Sequence, residues 1–354
     1  MNNYKCARKL AAGIILAVIF IVSGCAGLGK PKLTKYEAMY HDYFDTITNI
    51  TLYMESEEAF SGVESWVHSE LERYHQLYDI YHIYPGVNNL KTINDNAGIV
   101  PVKVDPDIIR MIKFSMTQYE QTNGKVNIAM GSVLSIWHEY RITRMENDQG
   151  PQVPDMVQLM QADEHTDIHQ IQIDEARSTV FLPDERMKLD VGAIAKGYTV
   201  QRICEGLRER GVTSALVSAG GNVRTIGNRG DGSAWRVGIQ SPDVNSAKGY
   251  LHAVNLQDMS LVTSGSYQRY YEVDGVRYHH IINPDTLMPW NEYVSVTILC
   301  RDSGQADALS TAIFNMPLEE GMALIQSLAD TEALWVYPDG KEVYSPGFQK
   351  YIDN

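Results

Sequence analysis

The chain has 354 residues, 44% of them hydrophobic and 9% aromatic, which suffices for one large domain or two packed ones. Its formal net charge of −14 leaves no basic groove to read and argues against a nucleic-acid partner. The cysteines are Cys6, Cys25, Cys204 and Cys300; no CxxC pair and no histidine-rich spacing accompanies them, so no zinc site is indicated.

The N-terminus reads as an address. Lys5, Arg8 and Lys9 form a basic head, Leu10 to Val22 an apolar run too short for a comfortable membrane span, and Val22-Ser-Gly-Cys25 a lipobox-like end. Residues 1–24 are therefore expected to be a lipoprotein signal peptide, with Cys25 lipidated and the domain held at the cell membrane on its extracytoplasmic face. Residues 25–38 read as a tether and 39–354 as the catalytic region. With Cys6 removed and Cys25 lipidated, Cys204 and Cys300 are read as buried thiols, a disulfide between them being left open.

Residues 40–54 are β-branched and aromatic and predict a strand, and Val63, Trp66, Val67, Leu71, Tyr74 and Tyr78 predict one face of a helix. Loops follow over Tyr81–Asn89 and Asn94–Gly98, with a short strand at Val100–Val104. Asp105-Pro106 supplies a cap and a first-turn proline for a helix ending at Asn123-Gly124. A helix over about 130–140, a polar loop over 144–152 and a short helix near 155–162 lead to strands at 171–173 and 179–182. A buried strand at Ser214–Ser218 runs into Ala219-Gly-Gly-Asn222. Strands follow at Trp235–Gln240 and, two of them, within 250–263. Asp274-Gly275 marks a hairpin turn between 269–273 and 276–281, a strand covers Tyr293–Cys300, a helix Asp307–Met316, and a last hairpin 333–344. Strands and helices mix without strict βαβ alternation, which predicts an α+β fold of mixed, largely antiparallel sheets packed with helices.

Leu189-Asp-Val-Gly-Ala-Ile-Ala-Lys-Gly197 opens the helix that carries Val200, Ile203, Cys204 and Leu207. Asp190 stands where an N-cap would stand, and the glycine-containing turn offers free N–H groups to an anion. Lys196, near a helix start, gains nothing from the helix dipole and fits better as the answer to a negative ligand. On the later helix, Asp307 and Thr311 are neighbours at i and i+4, with Ser310 beside them and Leu309, Ala312, Ile313 and Met316 on the opposite face. One carboxylate with hydroxyls is too poor a cage for a metal alone, but it suits Mg²⁺ when waters and phosphate oxygens complete the octahedron. In Tyr278-His-His-Ile-Ile-Asn-Pro284 the hairpin places His279 and His280 on opposite faces, so one packs while the other can serve as a general base. The small-residue turns Gly220-Gly-Asn222 and Thr263-Ser-Gly-Ser266 permit close approach of a ligand, or are plain turns.

In order along the chain, Phe44-Asp-Thr46, Thr122-Asn-Gly-Lys-Val-Asn127, Leu189–Gly197, Gly220-Gly-Asn222, Thr263-Ser-Gly265, His280-Ile-Ile-Asn-Pro284 and Ala306-Asp-Ala-Leu-Ser-Thr311 resemble the ApbE-type FAD:protein FMN transferases. These are bacterial enzymes, usually exported and often lipoproteins. The resemblance implies that Asp190, Lys196 and His280 belong to the FAD site, and that Phe44, Lys125, Val126 and Asn127 line its flavin side with loop residues near Tyr81. It implies that the Ala193 carbonyl with Asp307, Ser310 and Thr311 holds Mg²⁺, and that His280 and Asp307 serve the transfer step. The implied reaction moves FMN from FAD to a Thr or Ser hydroxyl of an exported or membrane redox flavoprotein and releases AMP. The sequence departs from the family at Asn127, where Asp is usual, at Asp45 and Leu287, where Gly is common, and at Phe44, commonly Met. Two alternatives remain open at this stage: an FAD pyrophosphatase releasing FMN and AMP, and a non-enzymatic flavin-binding lipoprotein.

Overall fold

The computed structural model describes residues 33–146, 152–243 and 246–353. The expected signal segment, its lipobox-like end and Cys25 lie outside them. The first described strand, β1 (Thr34–Tyr43), begins inside the stretch read as tether, because Tyr36 stacks on Phe60 and the whole strand pairs with β2 (Thr46–Met54). The expected single strand over 40–54 is thus a hairpin whose turn is Phe44-Asp45. Both turn residues have positive φ, 55° and 51°, the left-handed pair that a two-residue hairpin demands.

The remaining strands are β3 (Val102–Lys103), β4 (Gln172–Asp174), β5 (Thr179–Phe181), β6 (Ala215–Ala219), β7 (Asn222–Ile226), β8 (Trp235–Gln240), β9 (Tyr250–Leu256), β10 (Ser260–Gly265), β11 (Tyr270–Val273), β12 (Val276–His279), β13 (Ser295–Cys300), β14 (Glu332–Val336) and β15 (Glu342–Tyr344). An eight-stranded sheet runs in the order β1-β2-β6-β7-β10-β13-β14-β15, with every neighbouring pair antiparallel. Smaller sheets are β3-β5-β4, β8-β9 and the β11-β12 hairpin. The helices are α1 (Glu57–Tyr78), α2 (Leu90–Asp95), α3 (Pro106–Gln121), α4 (Gly131–Glu146), α5 (Met156–Asp163), α6 (Ala195–Glu209), α7 (Ser303–Phe314) and α8 (Leu318–Ser327). The α+β expectation holds. β7, α2 and α8 are additions to the sequence reading.

The centre of the large sheet is covered on both faces. Along β13, Val296, Ile298 and Cys300 join a core that includes Leu309, Ala312 and Ile313 of α7, while Leu299 points into a second core with Val237, Val254 and Leu256 of the β8-β9 pair. Every residue of β13 is buried, as a strand sandwiched between layers must be. At the other end of the sheet, α1 and α6 pack on β1, β2 and β6 through Val67, Leu71, Ile203 and Leu207. Cys204 and Cys300 are both free, buried thiols.

Candidate functional site at the junction of two helices

The stretch from Leu189 to Gly197 is held from below by backbone and amide groups. The Asn94 side chain donates to the Leu189 carbonyl at 2.9 Å and accepts the Leu189 N–H at 2.7 Å, and the Asp190 N–H donates to the Ile128 carbonyl at 2.8 Å. The Asp190 carboxylate does not cap α6 itself. It accepts the Gly192 N–H at 2.8 Å, closing a preliminary turn over Val191–Ile194, and Ile194 occupies the cap position of α6 without a side-chain bond. The correction has a local cause: the Ile194 and Ala195 N–H groups both donate to the Val191 carbonyl, so the chain turns once before the regular helix begins. Lys196 then lies in the first turn of α6, its Nζ 3.4 Å from the Gly192 carbonyl.

α6 meets α7 at Gly197. A Cβ there would stand 2.2 Å from the Ser303 carbonyl oxygen and 2.5 Å from the Asp307 Cβ, so only glycine permits this approach. The close contact lets the Gly197 N–H donate to Asp307 Oδ2 at 2.8 Å. Asp307 is 4% exposed. Burial pushes its carboxyl up from the ordinary range, while Lys196, the Gly197 N–H and the Asn222 side chain pull it back toward the charged form.

α7 differs from its sequence reading. It begins at Ser303, capped by Asp302, whose carboxylate accepts the Gln305 N–H at 2.8 Å. Ser310 and Phe314 are as buried as Leu309 and Ile313, and Thr311 alone among them is half-buried. The buried polar groups face the sheet ends. Ser264, within β10 near its end, lies with its hydroxyl 2.8 Å from that of Ser310 and 3.4 Å from that of Thr311, and Ser310 also donates to the Asp307 carbonyl at 2.9 Å. Asn222, which opens β7 after the Gly220-Gly221 turn, is 2% exposed and its Oδ1 has no hydrogen-bond partner among the described residues. Both small-residue stretches singled out in the sequence therefore deliver a polar side chain to Asp307 or its neighbours, although Thr263–Gly265 is the end of β10 and not a turn.

Among the described residues no cluster of three or more His, Cys, Asp or Glu side chains could hold a metal. The donors present are one buried carboxylate, the hydroxyls of Ser264, Ser310 and Thr311, and the orphaned Asn222 oxygen. That hard-oxygen set fits Mg²⁺ only as a partial shell to be completed by a ligand and water. Ser310, already engaged twice, is the poorer donor, and Thr311 the freer one.

The mouth of the site is aromatic and cationic. His280 sits at the end of the β11-β12 hairpin with Nδ1 3.3 Å from the Arg269 carbonyl, so the neutral ring donates from Nδ1 and leaves Nε2 as a free base. Burial, with Arg269, His279, Lys196 and Arg141 adding to it, pushes this imidazole down to about 3. His279 faces the other way, 2% exposed, bonded through Nε2 to the Trp290 carbonyl at 3.0 Å. The expected division between the two histidines is present. Tyr81 stacks on His138 with centroids 5.0 Å apart, and both rings feel the charges of Asp190, Arg141, Arg269 and Asp45. Burial pushes the Asp190 carboxyl up, against the Gly192 N–H, His138, Arg141 and Lys196.

Three cations thus gather here: Lys196, Arg141 and Arg269. Among the described residues none of them has a carboxylate within 4 Å, although the chain as a whole is strongly acidic. Arg141, Arg269 and His138 were not legible as site residues. Only the i, i+3 spacing of His138 and Arg141 on α4 hinted that they act together.

The Lys125–Asn127 loop leads into Ile128, whose carbonyl accepts the Asp190 N–H. The Val126 side chain is 2% exposed and belongs to the core, so it offers a ligand no side-chain surface. Lys125 pairs with Asp285 of the loop that follows His280. Asn127 donates from Nδ2 to the Thr166 carbonyl at 2.8 Å and accepts the Ala129 N–H at 2.8 Å. The first of these bonds needs an amide, which accounts locally for Asn where the family usually has Asp.

A buried carboxylate and hydroxyls at a helix junction stand next to three cations without a carboxylate partner among the described residues and a stacked aromatic pair, an arrangement chemically suited to a planar, multiply anionic ligand. The chain belongs to the ApbE family, whose model matches residues 44–335. It is similar to an FAD:protein FMN transferase of Treponema pallidum, 31% identical over 353 residues covering 95% of this chain and 93% of that protein. It is also similar to one of Klebsiella pneumoniae, 32% identical over 276 residues covering 78% of this chain and 82% of that protein. The crystal structure of the ApbE protein of Thermotoga maritima superimposes with a TM-score of 0.79 at 27% identity, covering 91% of this chain and all of that one (100%).

Proposed function

We propose that this protein transfers FMN from FAD to a Thr or Ser hydroxyl of a target protein and releases AMP. The observation that carries the reading is the convergence of Lys196, Arg141 and Arg269, without a carboxylate partner among the described residues, on a mouth walled by Tyr81 and His138. An acidic protein that gathers three cations without a carboxylate partner among its described residues is preorganised for an anion, and the diphosphate of FAD supplies one beside a flat ring.

The acceptor oxygen attacks the FMN phosphorus, the bond from that phosphorus to the bridging oxygen breaks, and AMP departs with that oxygen. His280 takes the acceptor's proton on its free Nε2. Its low basicity in the ligand-free protein comes partly from the same three cations, so an arriving diphosphate raises it toward a useful range. Lys196 and the turn over Val191–Ile194 neutralise the departing phosphate. Mg²⁺, held by Asp307 and Thr311 with Ser310 and the Ala193 carbonyl, would supply further charge stabilisation there. The acceptors fitting this chemistry are exported or membrane redox flavoproteins, reached by a domain tethered through a lipidated Cys25. No helix of the described residues is long and apolar enough to cross a membrane.

Incubation with FAD, Mg²⁺ and an acceptor, followed by intact-protein mass measurement, tests the reading. An acceptor heavier by one FMN supports it. FMN and AMP without an adduct would make the protein a pyrophosphatase, and unchanged FAD a carrier. Fatty-acid labelling that survives Cys25→Ser would remove the proposed anchor.

A further inference from the structure

The aromatic side of the site is tied to one carboxylate that the reaction does not use. Asp79 follows α1 as its C-cap. Its Oδ1 accepts the N–H groups of Tyr81 at 2.6 Å and His82 at 3.1 Å. Its Oδ2 accepts the Tyr84 hydroxyl at 2.7 Å and meets His82 Nδ1 at 2.9 Å. The Tyr84 oxygen lies 3.3 Å from His75 Nε2, and His75 Nδ1 lies 3.3 Å from the Phe44 nitrogen.

The direction of this chain is fixed by its ends. The Phe44 N–H can only donate, so His75 accepts on Nδ1 and, when neutral, carries its proton on Nε2. That proton goes to the Tyr84 oxygen, and the Tyr84 hydrogen goes to Asp79. One carboxylate therefore sets the backbone of Tyr81 directly and that of Phe44 through two side chains. Phe44 needs such a hold: at φ 55° an aromatic residue is in a left-handed region that its side chain disfavours, and His75 also packs edge-on against its ring at 5.7 Å.

We infer that Asp79, acting through Tyr84 and His75, is a positioning group that sets the gap between the Phe44-Asp45 turn and the Tyr81–His138 stack, the gap that receives the planar ring of the substrate. The inference rests on the functional reading above and concerns the ring end of the ligand alone. The diphosphate end is held by Lys196, Arg141 and Arg269, none of which bonds to the chain from Asp79 to Phe44.

Tyr84→Phe cuts the link while keeping the ring, and two probes separate the ends of the ligand: FAD, followed by flavin fluorescence, and ADP, which lacks the flavin, followed by calorimetry. The expected result is FAD binding weakened about three- to tenfold, the range of one hydrogen bond, with ADP binding unchanged. His75→Leu should weaken FAD similarly, and the double variant should be no worse than the weaker single, since both break one chain. Unchanged FAD affinity in Tyr84→Phe, an equal loss of ADP affinity, or additive single effects would overturn the inference while leaving the functional reading in place. Wild-type protein that binds ADP but not FAD would overturn both.

Discussion

The helix junction and the mouth of the site are built by opposite means. At the junction of α6 and α7, geometry is set by exclusion: Gly197 has no room for a methyl group, and Asp307 is clamped by a backbone N–H in a nearly dry interior. At the mouth, geometry is set by unpaired charge and by backbone held in costly conformations, with Arg269 exposed and Phe44 and Asp45 both at positive φ. The junction keeps its shape without a ligand, whereas the mouth carries electrostatic repulsion that a ligand would relieve. A rigid floor with an electrostatically frustrated rim suits a reaction in which charge moves along a diphosphate.

The contrast is most sharply tested at Asp307. Asp307→Asn keeps the shape of the junction and removes its charge, so turnover of FAD with Mg²⁺ should fall about 10²–10³-fold, the scale of a lost electrostatic stabiliser, while melting temperature moves little. Steady-state kinetics with circular dichroism would show this, and near-normal turnover would remove the metal role. Gly197→Ala does the reverse. Its methyl group must displace the Ser303 backbone, so a loss of about 1–3 kcal/mol in denaturant unfolding is expected, with reduced activity following the displaced Asp307.

Acid should find the same division. His279 is buried neutral, its imidazole pushed down to about 4. An unfolded histidine titrates near ~6.5, so its contribution is fully present above that pH and is lost as pH falls from there toward about 4, the unfolded chain binding a proton the folded one refuses. His280, also depressed, adds in the same direction; Asp190 and Asp307, raised by burial, act with opposite sign. Melting temperature should therefore decline between pH 7 and 5, and His279→Gln should flatten that slope. An identical slope in the variant would assign the acid sensitivity elsewhere. At the mouth, Lys196→Ala should weaken FAD binding about tenfold, the cost of one charge-assisted contact, and flatten its salt dependence without lowering melting temperature.

The parts of this arrangement that the sequence displayed are those written in local grammar. Asp105-Pro106 caps α3 as read, Asp274-Gly275 turns its hairpin, and the His279–His280 pair divides between core and site because strand alternation allows nothing else. The ordered motifs carried the family, since each contributes a short-range group to one place. What escaped was tertiary. Arg141 and Arg269 reach the site from a helix and a loop, and beyond the i, i+3 spacing of His138 and Arg141 nothing in the sequence marks them. Asn222 and Ser264 were visible only as turns, because their roles depend on which strands lie beside α7. The surroundings of α7 escaped for a related reason: periodicity groups Asp307, Ser310 and Thr311 but does not show that the helix is covered on almost all sides.

Leu287 offers the finest test of how the two regions trade strain against packing. It stands at φ 60° where the family commonly has glycine, a conformation that costs a branched side chain about 1–2 kcal/mol. The turn is pinned by the Leu287 N–H on the Asn283 carbonyl at 2.8 Å and by Trp137, whose indole donates to the Leu287 carbonyl at 2.9 Å. The side chain recovers the cost by packing against Met130, Val133, Trp137 and Ile282. Leu287→Gly removes strain and packing together, so its net effect on unfolding free energy should be within about 1 kcal/mol. Leu287→Ala removes the packing and keeps the strained φ, so it should cost about 2 kcal/mol or more. The order of the two is the discriminating result: if alanine proves the milder substitution, the turn is not under backbone strain, and the left-handed positions at Phe44 and Asp45 lose their closest parallel.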